Sequence, residues 1–73
     1  MSIEILSPMP GTICQVNVGP GDPVVEGQEL LLLEAMKMEN PIIATGKGVV
    51  KEVLVKEGDM VATKQVLVVI EEE

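Results

Sequence analysis

Gly11-Thr12-Ile13-Cys14-Gln15-Val16-Asn17-Val18-Gly19-Pro20-Gly21-Asp22-Pro23-Val24 is answered, 37 residues further on, by Gly48-Val49-Val50-Lys51-Glu52-Val53-Leu54-Val55-Lys56-Glu57-Gly58-Asp59-Met60-Val61. Gly11/Gly48, Val16/Val53, Val18/Val55, Gly21/Gly58, Asp22/Asp59 and Val24/Val61 are identical pairs, and the same offset continues through Gln28/Gln65, Leu30/Leu67 and Glu34/Glu71 with no insertion. A unit this short cannot bury its own apolar face, so two copies must interlock, related by a pseudo-two-fold axis. In both copies the apolar positions (Ile13, Val16, Val18 and Val50, Val53, Val55) fall at spacings of three and then two. That break in alternation predicts a bulge or sharp bend in each. Cys14 shares its place with Lys51, so a partly exposed position is expected for it.

The remaining punctuation is Gly, Pro and Asp. A first strand over about Ile3 to Leu6 ends at Ser7-Pro8-Met9-Pro10-Gly11, where proline cannot continue a ladder. Thr12 to Val18 form the next strand. Gly19 to Pro23 and Glu57-Gly58-Asp59 are equivalent turns, with Gly supplying a positive φ and Asp accepting from nearby backbone N–H groups. Brief strands around Val24 and Val61 then lead into long ones, Glu29 to Glu34 and Val66 to Glu71. Their consecutive apolar residues predict cover on both faces. Lys64 stands where the first copy has Gly27, so a strained or altered turn is expected there. Gly46-Lys47-Gly48 is a turn without the spacing of a phosphate loop.

Residues 1–73 amount to one domain, near the lower size limit for folding without staples. One cysteine allows no intramolecular disulfide, and without histidine no zinc ligand set exists. Aromatic residues are absent, so the core is aliphatic, and Val and Ile outnumber Leu, which favours an all-β fold. The net charge of −7, with no arginine, excludes the basic footprint that nucleic acid or anionic membrane requires. No apolar run reaches the roughly 20 residues of a membrane span, and no signal segment is evident. A soluble cytoplasmic protein is the expectation, and a free thiol suits a reducing compartment.

Two apolar runs, Leu30 to Leu33 and Pro41 to Ala44, flank Glu34-Ala35-Met36-Lys37-Met38-Glu39-Asn40 and read as a hairpin. With Met36 and Lys37 at the turn, Ala35 faces Met38 and Glu34 faces Glu39. Lys37 is then thrown to a tip that lacks glycine and carries backbone strain. Spacing alone also permits a solvated turn lysine between two methionines that seal the core. Adding 37 to Lys37 passes the last residue, so the equivalent second tip is where the chain is open, and the termini fall at the opposite end.

The tip residues resemble the biotin-attachment motif of biotin carboxyl carrier domains, in which a lysine between two methionines is acylated by biotin. The likeness continues through Ser7-Pro8-Met9-Pro10-Gly11-Thr12, Gly21-Asp22, Gly27-Gln28 and Glu57-Gly58-Asp59. It implies a flattened barrel of two antiparallel four-stranded sheets, with covalent biotin on Lys37. The implied partners are a biotin protein ligase and the biotin carboxylase, carboxyltransferase or decarboxylase parts of a biotin-dependent enzyme. It also implies a non-catalytic carrier, either free-standing or one domain of a longer polypeptide. In related lipoyl domains the lysine usually lies between an acidic and a small residue, so Met36 and Met38 favour biotin over lipoate. A lipoyl carrier and an unmodified interaction module are the alternatives. Only Gly19 to Pro23 joins Val18 to Val24, which leaves no room for the protruding thumb of bacterial acetyl-CoA carboxylase carriers. The resemblance therefore leans to the carriers of decarboxylases, transcarboxylases and pyruvate- or propionyl-CoA-type carboxylases.

The inventory for self-contained catalysis is poor, with no His, Arg, Tyr or Trp. Glu34 and Glu39 could pose as an acid/base pair, but a hairpin tip is no cleft. Two better readings remain: recognition by the ligase or partners, together with Ala35, Met36 and Met38, or simple solubility of the strand ends.

Overall fold

The repeat is realised strand for strand. In the computed structural model, which describes residues 1–73, the chain forms β1 (Ser2–Leu6), β2 (Gly11–Val16), β3 (Pro23–Val24), β4 (Glu29–Ala35), β5 (Met38–Ile43), β6 (Gly48–Val53), β7 (Met60–Val61) and β8 (Val66–Glu72). The two copies, β1–β4 and β5–β8, exchange strands. One sheet has the order β1-β8-β6-β3 and the other β5-β4-β2-β7, so each takes two strands from each copy. Every pairing is antiparallel. The result is a flattened barrel measuring 35 × 17 × 17 Å.

Turn chemistry repeats with the sequence. Gly21 and Gly58 have φ of 91° and 93°. Asp22 Oδ2 accepts from the Gly19 N–H at 2.8 Å, as Asp59 Oδ2 does from Lys56 at 2.9 Å. Lys64 takes φ of 66° where Gly27 takes 87°, so the departure from glycine is met by strain and not by a new turn shape. The bulges also lie as expected, with register shifts between Ile13 and Gln15 and between Val50 and Glu52. Cys14 and Lys51 are the extra residues. The β2 ladder stops at Val16, two residues earlier than the apolar spacing suggests, although Asn17 N–H still donates to Leu30 O at 2.9 Å. Only residues 17–22 connect β2 to β3, with no thumb.

The core is built of symmetry-related pairs: Ile5/Ile42, Ile13/Val50, Val24/Val61, Leu30/Leu67, Leu31/Val68 and Leu33/Ile70, all buried. Each such side chain contributes about 1.5–3 kcal/mol through removal from water, which is what holds a small chain without disulfides. The long strands differ from expectation. Leu30 and Leu31 are both buried, but the cause is a bulge: Glu29 pairs with Ile43 and Leu31 with Ile42, leaving Leu30 as an extra inward residue. Leu67 plays the same part in β8, between Val66 opposite Leu6 and Val68 opposite Ile5. Beyond each bulge alternation returns. Leu32 and Val69 point outward and are half-buried, Glu34 and Glu71 are exposed, and no second layer covers them.

The termini close on each other. The Met1 ammonium pairs with Glu71 at 3.0 Å, Glu72 N–H donates to Met1 O at 2.7 Å, and Glu73 N–H donates to Lys47 O at 3.2 Å. Lys47 follows the end of β5, and the β4–β5 turn lies at its start, about 20 Å away by strand rise. The open ends and that turn thus occupy opposite poles.

Candidate functional site: the hairpin tip

β4 and β5 are joined by Met36 and Lys37 alone, with Ala35 opposite Met38 and Glu34 opposite Glu39. Met36 has φ of 55° and Lys37 of 65°. Two positive φ values in a two-residue loop match the twist of the flanking strands, which is why such loops are usually Asn-Gly. Here both residues carry a Cβ, at a cost of about 1–2 kcal/mol each. The Ala35–Met38 and Glu34–Glu39 rungs below impose the conformation.

The conformation projects Lys37 clear of both sheets. It is exposed, and neither of the molecule's two ion pairs, Met1–Glu71 and Lys47–Glu73, involves it. Glu34 and Glu39 stay beyond ion-pair distance, so they offset its charge only through space. Met36 and Met38 are 89% and 65% exposed, which rules out the reading in which they seal the barrel. That task falls to Met9, half-buried against the core. Ala35 is buried beneath the turn.

The tip has a defined foundation. β2 begins with Gly11 so close to β4 that a Cβ there would strike the carbonyl oxygen of Glu34. Asn40 Nδ2 donates to Leu33 O at 3.3 Å and Met38 O at 3.2 Å, bridging both strands just under the turn. Buried Ser7 donates from Oγ to Met9 O at 2.6 Å. Asn40, Ser7 and Met9 lie within the stretches that carry the family resemblance, but nothing in those stretches gives them a role of their own. The signal that finds them is a mismatch between the two halves of the repeat.

Thr12, Glu34 and Glu39 lie in one rung across the sheet, and Met60 flanks Thr12 at the edge. The acidic pair reaches Cys14. Partial burial, then the carboxylates of Glu34 and Glu39, push its thiol pKa up, and a backbone hydrogen bond at Glu34 opposes them. A thiol so held is protonated and a poor nucleophile. No cavity opens on the surface. An exposed primary amine on a projecting turn suits covalent attachment of an acyl group.

A family model described as "Biotin-requiring enzyme" matches residues 3–70. The chain is 51% identical to the Biotin/lipoyl attachment protein of Bacillus subtilis over 59 residues, covering 81% of each. It is 49% identical over 70 residues to the human mitochondrial propionyl-CoA carboxylase alpha chain, covering 96% of this chain and 10% of that one. Among solved structures, the urea carboxylase of Kluyveromyces lactis matches with a TM-score of 0.92 at 32% identity, over 97% of this chain and 6% of that one. The chain thus spans about a tenth or less of the carboxylases it resembles and most of the length of the small attachment protein. It belongs to the biotin/lipoyl attachment family, as a domain of the biotin carboxyl carrier type.

Proposed function

We propose that Lys37 is the acceptor of biotin and that the domain works as a mobile, non-catalytic carrier. The observation that carries this reading is an exposed, unpaired primary amine at the apex of a two-residue turn, at the pole opposite the termini. A biotin protein ligase would present an activated biotin acyl group. Lysine Nζ, once deprotonated with the ligase's help, attacks the acyl carbon, and the amide bond forms as the bond to the activating group breaks. The four-carbon stem then extends a neutral amide from the rigid hairpin. Biotin supplies the carboxyl-carrying chemistry, between a biotin carboxylase or carboxyl donor and a carboxyltransferase or decarboxylase. The chain's part is to raise effective concentration by tethering. Its free thiol fits a reducing cytoplasm.

Lys37→Arg tests the site, because it keeps the charge and removes the acylatable amine. Co-expressed with a ligase, the wild type should gain one biotinyl group by intact mass and bind streptavidin, and the variant neither. A lipoyl group on the wild type, or no modification beside an active ligase, refutes the reading.

Glu34 and Glu39, with Met36 and Met38, form the surface we assign to ligase and partner recognition, and buried Ala35 shapes it from beneath. Like charges opposite one another on a hairpin oppose folding by a few tenths of a kcal/mol at about the lower end of such pair energies. Glu34→Lys should therefore fold well but be biotinylated severalfold more slowly. A wild-type rate would remove Glu34 from the recognition surface.

A further inference from the structure

Because the two halves of the fold repeat strand for strand, a residue that differs between them marks where one pole departs from the other. Two such differences form a matched pair. At the termini, Ile3 is half-buried against the core, and a Cβ on Gly46 would lie 2.7 Å from Ile3 Cδ1. Ile3 fills the place, and Gly46 leaves room for it. At the Lys37 pole the equivalent positions are Asn40 and Met9. There the volume is exchanged: Met9 fills against the core, and the smaller Asn40 turns a carboxamide to the backbone. The exchange conserves apolar filling while adding a hydrogen-bond donor at one pole only, so core formation does not require it.

We infer that Asn40 is a positioning residue for the acylation of Lys37. Its Nδ2 reaches Leu33 O on β4 and Met38 O on β5, and so ties together the two strands that emerge from the strained turn. Left-handed Met36 and Lys37 are held only by what lies below them. The tie narrows the directions in which the Lys37 stem leaves the hairpin, and so the fraction of encounters in which Nζ meets the acyl carbon in line. Ser7 supports the arrangement from the neighbouring loop, fixing the Met9 carbonyl and so the backbone from which Met9 packs. This role rests on Lys37 being the acceptor.

The test compares biotin transfer by a biotin protein ligase to the wild type, to Asn40→Ala, and to the double variant Met9→Gly/Asn40→Ile, which rebuilds the termini's own pair beneath the lysine. Both variants lose the donor, and the double variant keeps the volume. Each should melt cooperatively and show a kcat for Lys37 acylation lower by about tenfold, with KM within about twofold. Amide exchange should accelerate at Met36 to Met38 and remain unchanged at Leu31 and Ile70. In the wild type, the Asn40 carboxamide protons should exchange more slowly than those of exposed Gln65, a measurement that needs no variant. Wild-type kcat in either folded variant overturns the proposal, as does equal exchange of the Asn40 and Gln65 carboxamides. A wild type that is never acylated would instead overturn the assignment of Lys37.

Discussion

At the scale of single residues, the tip separates an amine from the groups that could quench it. Lys37 lies between two carboxylates in sequence, yet the turn sends it outward and leaves Glu34 and Glu39 facing each other on the sheet. Their field acts on Cys14, whose thiol burial already disfavours ionisation. The sign of the linkage follows: with the folded pKa raised, the stabilising contribution is complete below the ordinary thiol range and fades as pH climbs through the raised value. Native Cys14 should therefore react with iodoacetamide near pH 9 more slowly than in the unfolded chain. Glu34→Gln or Glu39→Gln should speed that reaction severalfold, and added salt should shrink the gain because these charges are exposed. Alkylation rates over pH 7–10 check this, and rates indifferent to both substitutions would detach the thiol from the acidic pair. That Cys14 is partly exposed was legible from its equivalence to Lys51. That it sits in the field of Glu34 and Glu39 was not, because the proximity arises from strands 20 residues apart in the chain.

At the scale of elements, the repeat made the turns readable and the bulges half-readable. Spacings of three and two predicted a bulge or bend in each copy, and the register puts the extra residue at Cys14 and at Lys51. The bulges at Leu30 and Leu67 were hidden, because an inward pair inside an unbroken apolar run looks the same as a strand covered on both faces. Only the opposing register distinguishes them. Lys64 was legible as an anomaly, because its counterpart in the repeat is Gly27 and both take a positive φ. Its N–H already donates to Ser7 O at 2.7 Å, so the turn is held whatever the side chain. Lys64→Gly should relieve about 1–2 kcal/mol of left-handed strain and lose roughly 0.5–1 kcal/mol to the greater freedom of the unfolded chain. The expected net stabilisation raises Tm by roughly 4 °C, read by thermal melting. The converse change, Gly27→Lys, should lower it. A Tm reduced by Lys64→Gly would mean that the lysine side chain makes a contribution larger than its strain.

At the scale of the molecule, duplication yields two equivalent poles, one closed by the Met36-Lys37 turn and the other left open as termini. The open pole can be closed in the same way. Replacing Ser2→Glu, Glu72→Ala and Glu73→Met, inserting a lysine after residue 73, and joining that lysine to Met1 reproduces the tip, since residues 71–73, the new lysine and residues 1–2 then stand where Glu34 to Glu39 do. Reopening the ring between exposed Glu26 and Gly27 leaves every core pair in place. Such a permutant should fold, because the Glu72–Met1 backbone bond already brings the ends within a turn's span. Its two tip lysines are then presented by turns that match from Glu34 to Glu39 and differ beneath, with Asn40 and Met9 at one pole and Ile3 and Gly46 at the other. If shape alone made a lysine an acceptor, both would be acylated at equal rates. If the residues under the turn matter, Lys37 should be modified roughly tenfold faster, and exchanging the pair at the new pole (Ile3→Asn with Gly46→Met) should close much of that gap. Peptide mapping of the singly modified product reads the ratio directly. Equal acylation before the exchange would show that a strained turn on a rigid hairpin is sufficient and that the asymmetry of the two poles serves packing alone.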